Sequence, residues 1–528
     1  MRPFDLPGRS TIHAANGMAA TSHPLATLAA IEMLRRGGNA VDAAVTASAV
    51  LCVVEPGSTG IGGDCFALYA PSGNGPVVAL NGSGRAPAAA DAAHYADHGI
   101  TTIDPSSAHA VTVPGAIDAW SRLLEDHGTR GLGEVLAPAI EFAAEGYVIA
   151  PRVASDWKRS APRLAGDENA TRIFMPGGET PRAGDMHRQP ELAASLRAIA
   201  KRGRAAFYEG AVAEDVVAYL RAKGGLHTLD DFAEHTSEYV EPIAANYRGL
   251  DIVECPPNGQ GLAALVMLNI LSGFDLASLD PHGAKRFHLE AEAKRLAFRV
   301  RDSLIADPAK AKVPVSEVLS PGYADALRRE IDDSKAMHMD ALDQVPAHPD
   351  TIFLTVVDSD RNTISFINSV FFAFGSTLVA PKSGVMLHNR GTGFVLTPGH
   401  PNCIAPRKRP LHTIIPGLAM REGRAVMPFG VMGGHFQPTG HAHLVTNVAD
   451  YGMDPQEALD SPRVFHHEGV LAVESGVRED VAAELAAMGH TVTRGGPHGG
   501  GQAIWIDWQR GTLTGASDPR KDGCALGY

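Results

Sequence analysis

The sequence predicts a layered α/β protein in which β-sheets lie between helices. Two observations support this prediction. Helical patterns dominate the residues before Thr351, with a few short strands between them, whereas strands and helices alternate after Thr351. The chain also has 528 residues, of which 45% are hydrophobic, so it can bury a substantial core as two or more domains or as one large body.

Two helices are predicted near the start of the chain. Ser22 is a suitable N-cap for the first helix, which has Pro24 in its first turn and ends at the glycine pair 37–38. Asn39 begins the second helix, residues 40–54, whose apolar side chains point in nearly every direction. We therefore expect the second helix to be buried.

The next segment combines glycine-rich loops with short strands. Residues 57–64 have the glycine density of a phosphate-binding loop but neither a lysine nor a preceding strand, so we prefer a tight turn into a strand at 65–69. A second strand is predicted at 77–80, and the loop after it carries Arg85. Loop arginines are usually solvated, but arginine is also the side chain best suited to hold a carboxylate.

The middle of the chain, residues 136–327, is predicted to be mostly helical with long polar loops. Residues 262–271 form an apolar helix, and the charges of the helix around 288–295 are better explained by i,i+4 ion pairs than by a metal site. Residues 332–348 are polar and charged with few sizeable apolar side chains, so they are predicted to form a mobile linker.

A β-hairpin that starts at Thr351 is predicted after this linker. Residues 352–357 are apolar and rich in β-branched side chains, 358–362 have the composition of a turn, and 363–371 alternate again. The remaining predicted elements are strands at 384–387, 425–431 and 503–507 and a helix at 440–448.

Thr351, at the outer end of this hairpin, is a candidate nucleophile. Cleavage between Asp350 and Thr351 would give Thr351 a free α-amino group, and the pKa of such a group, about 7.7–8.0, suits a base at neutral pH. Nucleophile and base would then belong to one residue. A linker directly upstream is what such cleavage requires. Considered alone, this stretch also fits a threonine that merely opens a strand.

The composition argues against several functions and locations. The formal net charge of −13 disfavours nucleic-acid binding, and the lack of any run of about 18 apolar residues disfavours a membrane span. Five scattered cysteines without a Cys-x-x-Cys pair fit a reducing compartment, and the first residues have no signal-peptide core. We therefore predict a cytoplasmic protein, and no motif indicates a cofactor.

Other hydrolase classes have less support. The motif Gly-x-Ser-x-Gly is absent, which removes the simplest serine hydrolase, and no cysteine has the setting of a nucleophile. A group of histidines could suggest a metal hydrolase, but they lack His-Glu-x-x-His spacing and an obvious carboxylate partner, so we expect hydrogen bonding in loops instead. These histidines are His435, His441, His443, His466 and His467.

Several short stretches match, in order, those of a known family. They are 62–66, 85–87, 113–115, 256–257, Thr351 with 356–358, 374–375, 408–410, 433–434, 462–467 and 516–520. Over nearly its whole length the chain resembles the γ-glutamyltransferase family. This resemblance implies the N-terminal-nucleophile hydrolase fold, a four-layer αββα sandwich. It also implies a proenzyme that cleaves itself into a large subunit, residues 1–350, and a small subunit, residues 351–528.

The resemblance also implies roles for individual residues. Thr351 corresponds to the nucleophile that forms the acyl-enzyme, and Ser369 keeps the hydroxyl of a residue that orients it. Gly433 and Gly434 correspond to the pair whose N–H groups form the oxyanion hole, where glycine lets the backbone approach the substrate. Arg85 corresponds to the arginine that holds the substrate α-carboxylate.

Differences from the family pattern argue against glutathione as the substrate. Phe371, Arg390 and Gly393 stand where the family recognises the substrate amine with Asn, Gln and Asp, although an ammonium group needs an acceptor or a negative charge. His412 and Thr413 replace a pair of serines. The substrate pocket is therefore expected to differ from that of a glutathione hydrolase.

The two cations, Arg85 and Arg390, suit a small amide that carries a carboxylate but no amine. In this respect the chain resembles the cephalosporin acylase-like and oxamate amidohydrolase branches, so we expect an oxamate, glutaryl or γ-glutamyl type of substrate. Two alternatives stay open: a true γ-glutamyltransferase or glutathione hydrolase with a remodelled pocket, and an uncleaved, non-catalytic binding protein. The sequence leaves room for an oligomer of the two-subunit enzyme.

Overall fold

The structure is a computed structural model that describes residues 8–338 and 351–528. Its strands are β1 (Ile12–Ala14), β2 (Met18–Thr21), β3 (Asp64–Ala70), β4 (Val78–Gly82), β5 (Tyr147–Val148), β6 (Met186–His187), β7 (Glu238–Val240), β8 (Ile243–Tyr247), β9 (Leu250–Glu254), β10 (Ile352–Val357), β11 (Thr363–Ser369), β12 (Gly417–Arg421), β13 (Arg424–Met432), β14 (Val464–His467), β15 (Val470–Val473), β16 (Val492–Arg494), β17 (Gly500–Asp507), β18 (Thr512–Ser517) and β19 (Cys524–Gly527).

The α-helices span most of the remaining chain. They are α1 (Pro24–Arg35), α2 (Ala40–Val54), α3 (Ala92–Asp97), α4 (Ala116–His127), α5 (Leu132–Val135), α6 (Ala137–Glu145), α7 (Pro151–Leu164), α8 (Glu168–Phe174), α9 (Pro190–Arg202), α10 (Ala205–Tyr208), α11 (Ala211–Ala222), α12 (Leu229–Ala233), α13 (Gly261–Leu271), α14 (Ala284–Leu304), α15 (Val315–Val318), α16 (Pro321–Arg328), α17 (Gln437–Ala449), α18 (Pro455–Asp460) and α19 (Glu479–Ala487). Within the described ranges, no helix has the length and apolar content that crossing a bilayer requires.

Two seven-stranded sheets pack face to face in the centre of the molecule. The strand order is β1-β18-β17-β13-β12-β9-β8 in the first sheet and β19-β2-β10-β11-β3-β4-β7 in the second. Helices α13, α17 and α18 cover the outer face of the first sheet, and α1, α2 and α4 cover that of the second. This arrangement is a four-layer αββα sandwich, so the predicted fold class is confirmed.

The predicted hairpin forms the middle of the second sheet. Strands β10 and β11 pair antiparallel from Ile352↔Asn368 to Val357↔Thr363. Asp358 closes the turn, since its Oδ1 accepts hydrogen bonds of 3.0 Å from the backbone N–H groups of both Asp360 and Asn362. The hairpin therefore forms where its turn residues predict it, with β2 and β3 on either side.

Contacts between the sheets place Thr351 and Gly433 at the same end of the sandwich. A Cβ on Gly430 of β13 would lie 2.5 Å from the ring of Phe353, so glycine is needed where β10 and β13 cross. Ser365, which lies further from the open end of the hairpin than Phe353 does, donates to the carbonyl oxygen of Phe429 at 3.2 Å. The step from Phe429 to Gly430 in β13 therefore leads towards the start of β10.

The N-caps of helices α1 and α2 were predicted from local sequence signals, one correctly and one not. Asn39 caps α2 with a reciprocal capping box, and all residues of this helix are buried, as predicted. The predicted cap of α1 is wrong by one residue: the N-cap is His23, not Ser22. The imidazole nitrogen Nδ1 of His23 accepts a hydrogen bond from Leu25 N, at 3.2 Å, which is the role expected of the serine hydroxyl.

Two predictions about strands need correction. The region 136–327 also contains β7, β8 and β9, which extend the edges of both sheets. The edge strands β7 and β8 were missed because their residues are only partly buried and lack a strong apolar pattern. Conversely, residues 384–387 form no strand and make only isolated bridges to other segments.

The start of the predicted linker is attached to the body of the protein. Ala336 N donates to Met488 O at 2.7 Å, and Met337 N donates to Glu292 Oε2 at 2.9 Å. The remaining linker residues, 339–348, and Asp350 of the predicted cleavage site lie outside the described residues.

Candidate active site

Thr351 and Ser369 lie side by side at the open end of the β10-β11 hairpin. Their hydroxyl oxygens are 3.1 Å apart, and both residues are fully buried. The backbone N–H of Phe371 donates to Ser369 Oγ at 2.8 Å, and Arg390 donates to the same oxygen at 3.4 Å. Ser369 Oγ thus accepts hydrogen bonds from two N–H groups while it contacts the hydroxyl of Thr351.

Arg390 is a buried cation next to this pair of hydroxyls. Its guanidinium donates to Thr413 Oγ1 at 2.7 Å, and its Cζ lies 4.0 Å from the centre of the Phe371 ring. Burial lowers the pKa of Arg390 to about 9, an effect that the charge of Asp64 opposes. No carboxylate in residues 8–338 and 351–528 forms an ion pair with it, so its described countercharge is Asp64, which acts without direct contact.

Phe371 holds an unusual backbone conformation at the same place. Its φ of +79° lies in the left-handed region, which is rare for an aromatic residue. This conformation points its N–H at Ser369 Oγ while its ring packs on Arg390. Phe371 thus helps to hold in place both Ser369, which lies next to the predicted nucleophile, and Arg390.

The predicted oxyanion glycines, Gly433 and Gly434, directly follow β13. Their φ values are +114° and +54°, which disfavour any residue with a side chain. A Cβ on Gly433 would also lie 2.9 Å from the Cα of Gly499. Both geometric constraints require glycine here, at the end of the sandwich where Thr351 lies.

Gln260 connects this glycine loop to the segment that holds Arg390. Its side-chain nitrogen donates to the carbonyl oxygens of Gly434 and Thr413 at 2.8 and 2.7 Å. Its oxygen accepts a hydrogen bond of 3.1 Å from Arg301, which orients the amide. Thr351, Ser369, Arg390, Thr413, Gln260 and Gly434 therefore belong to one connected network of contacts.

His412 lies next to Thr413 but bonds away from the predicted nucleophile. Its Nδ1 accepts from Ile414 N at 3.3 Å, so its proton is on Nε2, which donates to Asp64 Oδ2 at 2.9 Å. Burial, helped by the charge of Arg390, lowers the pKa of His412 to about 3. His412 is therefore a neutral donor to Asp64 at neutral pH, and its predicted role in substrate binding stays a prediction.

Asp64 is a fully buried carboxylate that joins several parts of the site. Its Oδ1 accepts from the N–H groups of Gly84 and Gly115, each at 3.1 Å, and its Oδ2 lies 3.4 Å from His388 Nδ1. Burial alone would raise the pKa of Asp64, but His388 and His412 hold it well below its usual value. The carboxylate therefore stays ionised and gives the buried cation Arg390 a distant countercharge.

Arg85 lies in a different cluster from Arg390. Its guanidinium pairs with Glu238 Oε1 at 2.5 Å and donates to Thr236 O at 3.4 Å. Arg409 pairs with the other oxygen of Glu238 at 2.9 Å. The structure thus brings Arg390, but not Arg85, into contact with Ser369, and the carboxylate-binding role of Arg85 stays a prediction.

Two of the five histidines contact carboxylates of their own. His441 Nδ1 contacts Glu254 Oε1 at 2.6 Å, and His443 Nδ1 contacts Glu290 Oε2 at 2.9 Å. The expectation that these histidines lack carboxylate partners is therefore wrong for two of them. Because each carboxylate belongs to a different histidine, the pairs are separate structural contacts.

Three buried residues of the site were not predicted: Asp64, His388 and Gln260. Asp64 follows a glycine pair, and a Cβ on Gly63 would lie 2.3 Å from Ser369 O, which explains the glycine density there. Gln260 stands between glycines in a turn before the apolar helix α13. A lone polar residue among glycines next to a buried element is the signal that could have identified both.

Comparison with known families identifies the chain. A model of the Gamma-glutamyltranspeptidase family matches residues 26–528. The chain belongs to the γ-glutamyltranspeptidase family. The predicted resemblance is therefore confirmed.

Relatives of this γ-glutamyltranspeptidase-family chain match it from end to end. The glutathione hydrolase-like YwrD proenzyme of Bacillus subtilis (strain 168) is 36% identical over 521 residues, 97% of this chain and 98% of that protein. The oxamate amidohydrolase proenzyme of Klebsiella pneumoniae is 33% identical over 531 residues, 97% of this chain and 98% of that protein.

A solved structure agrees with the fold. The crystal structure of cephalosporin acylase from Bacillus halodurans has a TM-score of 0.93 and 38% identity, and the match covers 100% of this chain and 99% of that chain. The N-terminal-nucleophile hydrolase fold and the prediction of an enzyme that acts on amide bonds are thus confirmed, because these relatives are named hydrolases and acylases.

Proposed function

We propose that this family member is a self-processing amidohydrolase for small amides with a carboxylate on the acyl side, acting through an acyl-enzyme on Thr351. The observation that best supports this is Arg390, a fully buried guanidinium that reaches Ser369 Oγ without a protein carboxylate among its described partners. Guanidinium groups bind carboxylates through two parallel hydrogen bonds, so a substrate carboxylate would supply the missing charge.

Self-processing would start from the uncut chain. The Thr351 hydroxyl attacks the carbonyl carbon of Asp350, and the peptide C–N bond breaks as the Thr351 nitrogen leaves. The nitrogen takes up the hydroxyl proton and becomes the free α-amino group. Water then hydrolyses the resulting ester, which returns the Thr351 hydroxyl and leaves Asp350 as the C-terminus of the large subunit. The hydroxyl of Ser369, 3.1 Å from Thr351 Oγ1, stabilises negative charge on that oxygen during the attack.

Substrate turnover repeats the same chemistry with the amine as base. The α-amine of Thr351 takes the proton from Oγ1, which attacks the amide carbonyl carbon. The N–H groups of Gly433 and Gly434 receive the negative charge on the carbonyl oxygen, and the leaving nitrogen takes the proton back from the α-ammonium. Water attacks the ester in the second half, and the acid product leaves.

The position of Arg390 favours a short acyl group. The Arg390 nitrogen that contacts Ser369 Oγ is no more than about 6.5 Å from Thr351 Oγ1. This upper limit is the combined length of the contacts that Ser369 Oγ makes with Thr351 and with Arg390. A carboxylate next to the scissile carbonyl, as in oxamate, fits this distance, and a glutaryl chain fits it when bent. Phe371 offers an amine-bearing γ-glutamyl group no acceptor, which disfavours glutathione. The named activities of the oxamate amidohydrolase and cephalosporin acylase relatives support the same substrate class.

Two measurements test this proposal. Mass spectrometry of the purified protein should find a fragment that begins at Thr351, and Thr351→Ala should give one uncut chain whose amide turnover is lower by at least about 10³-fold. The processed enzyme should hydrolyse oxamate or a glutaryl anilide faster than the γ-glutamyl anilide with the same leaving group. Faster turnover of the γ-glutamyl anilide would favour the remodelled glutathione hydrolase instead, and an uncut wild-type chain without activity would favour a binding protein.

A further inference from the structure

Three buried side chains outside the candidate active site, His288, Glu292 and His490, bring metal-binding atoms together. Each side chain offers one ligand atom, and these atoms all lie within 4.8 Å of one another. Glu292 lies one helical turn after His288 on the same face of α14. His490 is 202 positions away from His288, so the local pattern of the helix does not indicate this group. Two imidazoles and a glutamate also form the protein ligand set of some zinc sites.

The two histidines face each other with one nitrogen each. His288 Nδ1 and His490 Nε2 are 2.8 Å apart, a distance at which the two rings share one proton. At a tetrahedral zinc ion with Zn–N bonds of about 2.0–2.1 Å, two ligand nitrogens are about 3.3 Å apart. The contact would therefore need to open by only about 0.5 Å to admit an ion. His490 would then carry its proton on Nδ1.

The outer atoms of this group are held by neighbours in the way that metal ligands are. His288 Nε2 donates to the carbonyl oxygen of Asp332 at 2.8 Å, which leaves a lone pair on Nδ1. Glu292 accepts from Met337 N through Oε2 and from Arg295 through Oε1, each at 2.9 Å. Metal-binding histidines usually donate their second N–H to such an oxygen, and metal-binding carboxylates are themselves hydrogen-bonded. Each oxygen of Glu292 still has a lone pair for an ion.

The charged groups around the three side chains leave a nearly neutral set of ligands. Burial, followed by the charges of neighbouring groups, lowers the pKa of His490 to about 3, and these groups are His288, His466 and Arg295. His490 is therefore neutral at neutral pH, the form of imidazole that binds metals. Arg295 and Glu292 pair at 2.9 Å and have no net charge together. Because two ligand atoms are nitrogens, the group suits a transition-metal ion better than Ca²⁺ or Mg²⁺.

We propose that His288, Glu292 and His490 bind a divalent transition-metal ion such as Zn²⁺, with water as the fourth ligand. The first two ligands also hold residues 332–337, the start of the predicted linker, whereas His490 belongs to residues 351–528. The ion would therefore fasten the end of the predicted large subunit to the small subunit. This consequence rests on the proposed self-processing, but the binding of the ion does not.

Titration with Co²⁺ tests the site, because tetrahedral Co²⁺ absorbs visible light and Zn²⁺ does not. Protein without a polyhistidine tag, freed of metals with EDTA and dialysed, should bind one Co²⁺ per chain, and Zn²⁺ should displace it. His490→Gln and Glu292→Gln should each weaken the binding of Co²⁺ by more than about 10²-fold. Loss of an outer hydrogen-bond partner alone typically costs about 10–100-fold in metal affinity, and loss of a ligand costs more.

A matched control separates this site from histidine pairs at the surface. His94 and the exposed His98 lie one helical turn apart on α3, and their ring centres are 4.3 Å apart. His98→Gln removes that pair and should leave the binding of one Co²⁺ unchanged. Zn²⁺ at about a hundredfold excess over Kd should raise the melting temperature of wild type and His98→Gln by about 2 °C or more, but not that of His490→Gln.

A direct measurement of the ion's position covers the case in which the buried variants do not fold. An anomalous difference map of a wild-type crystal soaked in Zn²⁺ should place the ion about 2.0–2.1 Å from His288 Nδ1 and His490 Nε2. No tight binding, binding that survives both His490→Gln and Glu292→Gln, or a map without this peak overturns the site. A chain that binds the ion but is not cut before Thr351 keeps the site and overturns only the link between subunits.

Discussion

Gln260 and Gly434 are joined by a buried hydrogen bond of 2.8 Å from the glutamine side chain to the glycine carbonyl oxygen. Because the same nitrogen also donates to Thr413 O, one amide holds the predicted oxyanion loop at a fixed distance from the segment that binds Arg390. The N–H groups of a glycine loop stabilise a transition state only when they are held in place beforehand. We therefore predict that Gln260 positions this loop for catalysis.

We expect Gln260→Glu to lower kcat by roughly 10–100-fold with little change in KM, since it removes both donors but keeps the size of the side chain. Steady-state kinetics of the processed enzyme check this. The matched control is Gln189→Glu, which removes a buried donor to Val53 O at 2.8 Å. Equal kcat values for the two variants, at equal melting temperature, would contradict the positioning role.

Residues whose partners are close in sequence were predicted well. Asn39 begins α2 with its own capping box, and Asp358 closes the β10-β11 hairpin through bonds to residues two and four positions later. These signals act within a few residues, so the pattern of the chain alone reveals them.

Residues whose partners are distant in sequence were missed or given an incomplete role. Gln260 and Gly434 are 174 positions apart, and Asp64 and His412 are 348 positions apart, so nothing in the local sequence connects them. Arg85 shows the same limit, because its ion-pair partner Glu238 is 153 positions away. Only the folded sandwich shows which polar residues meet.

Ser369 should matter for both processing and turnover. Ser369→Ala removes the hydroxyl that lies 3.1 Å from Thr351 Oγ1 and accepts from Phe371 N. We expect kcat and the rate of self-cleavage to fall by roughly 10–100-fold, the cost of losing a hydrogen bond to a developing charge. Ser369→Thr keeps the hydroxyl and should retain most activity. Gel electrophoresis of the precursor over time and amide kinetics check both rates, and an alanine variant that processes normally would disprove the role.

Arg390 should determine the choice of acyl group. Arg390→Gln removes a buried cation, so we expect kcat/KM for a carboxylate-bearing amide to fall by about 10²-fold relative to a neutral acyl amide with the same leaving group. Arg85→Gln is the comparison, because the Arg85 guanidinium is already paired with Glu238. Arg85→Gln should change this selectivity far less. A larger loss of selectivity from Arg85→Gln than from Arg390→Gln would indicate that Arg85 binds the acyl carboxylate instead of Arg390.

Acid should destabilise the fold through its buried neutral histidines, and His227 is a clear case. Its Nε2 donates to Val111 O at 3.0 Å, and burial lowers its pKa from 6.5 to about 4. Between about pH 6.5 and about pH 4, His227 is therefore protonated in the unfolded chain but neutral in the folded protein. The stability contributed by neutral His227 is fully present above its unfolded pKa and is lost as the pH falls towards its folded pKa.

The size of this effect follows from the shift in pKa. Between about pH 7.5 and about pH 5, His227 should account for about 2 kcal/mol of the loss in unfolding free energy. His227→Gln keeps a side-chain N–H but cannot take up the proton, so it should reduce the difference between urea unfolding curves at the two pH values by that amount. The exposed His13 is the control, and His13→Gln should leave the difference unchanged. An equal pH dependence for wild type and His227→Gln would show that protonation of His227 is not coupled to unfolding.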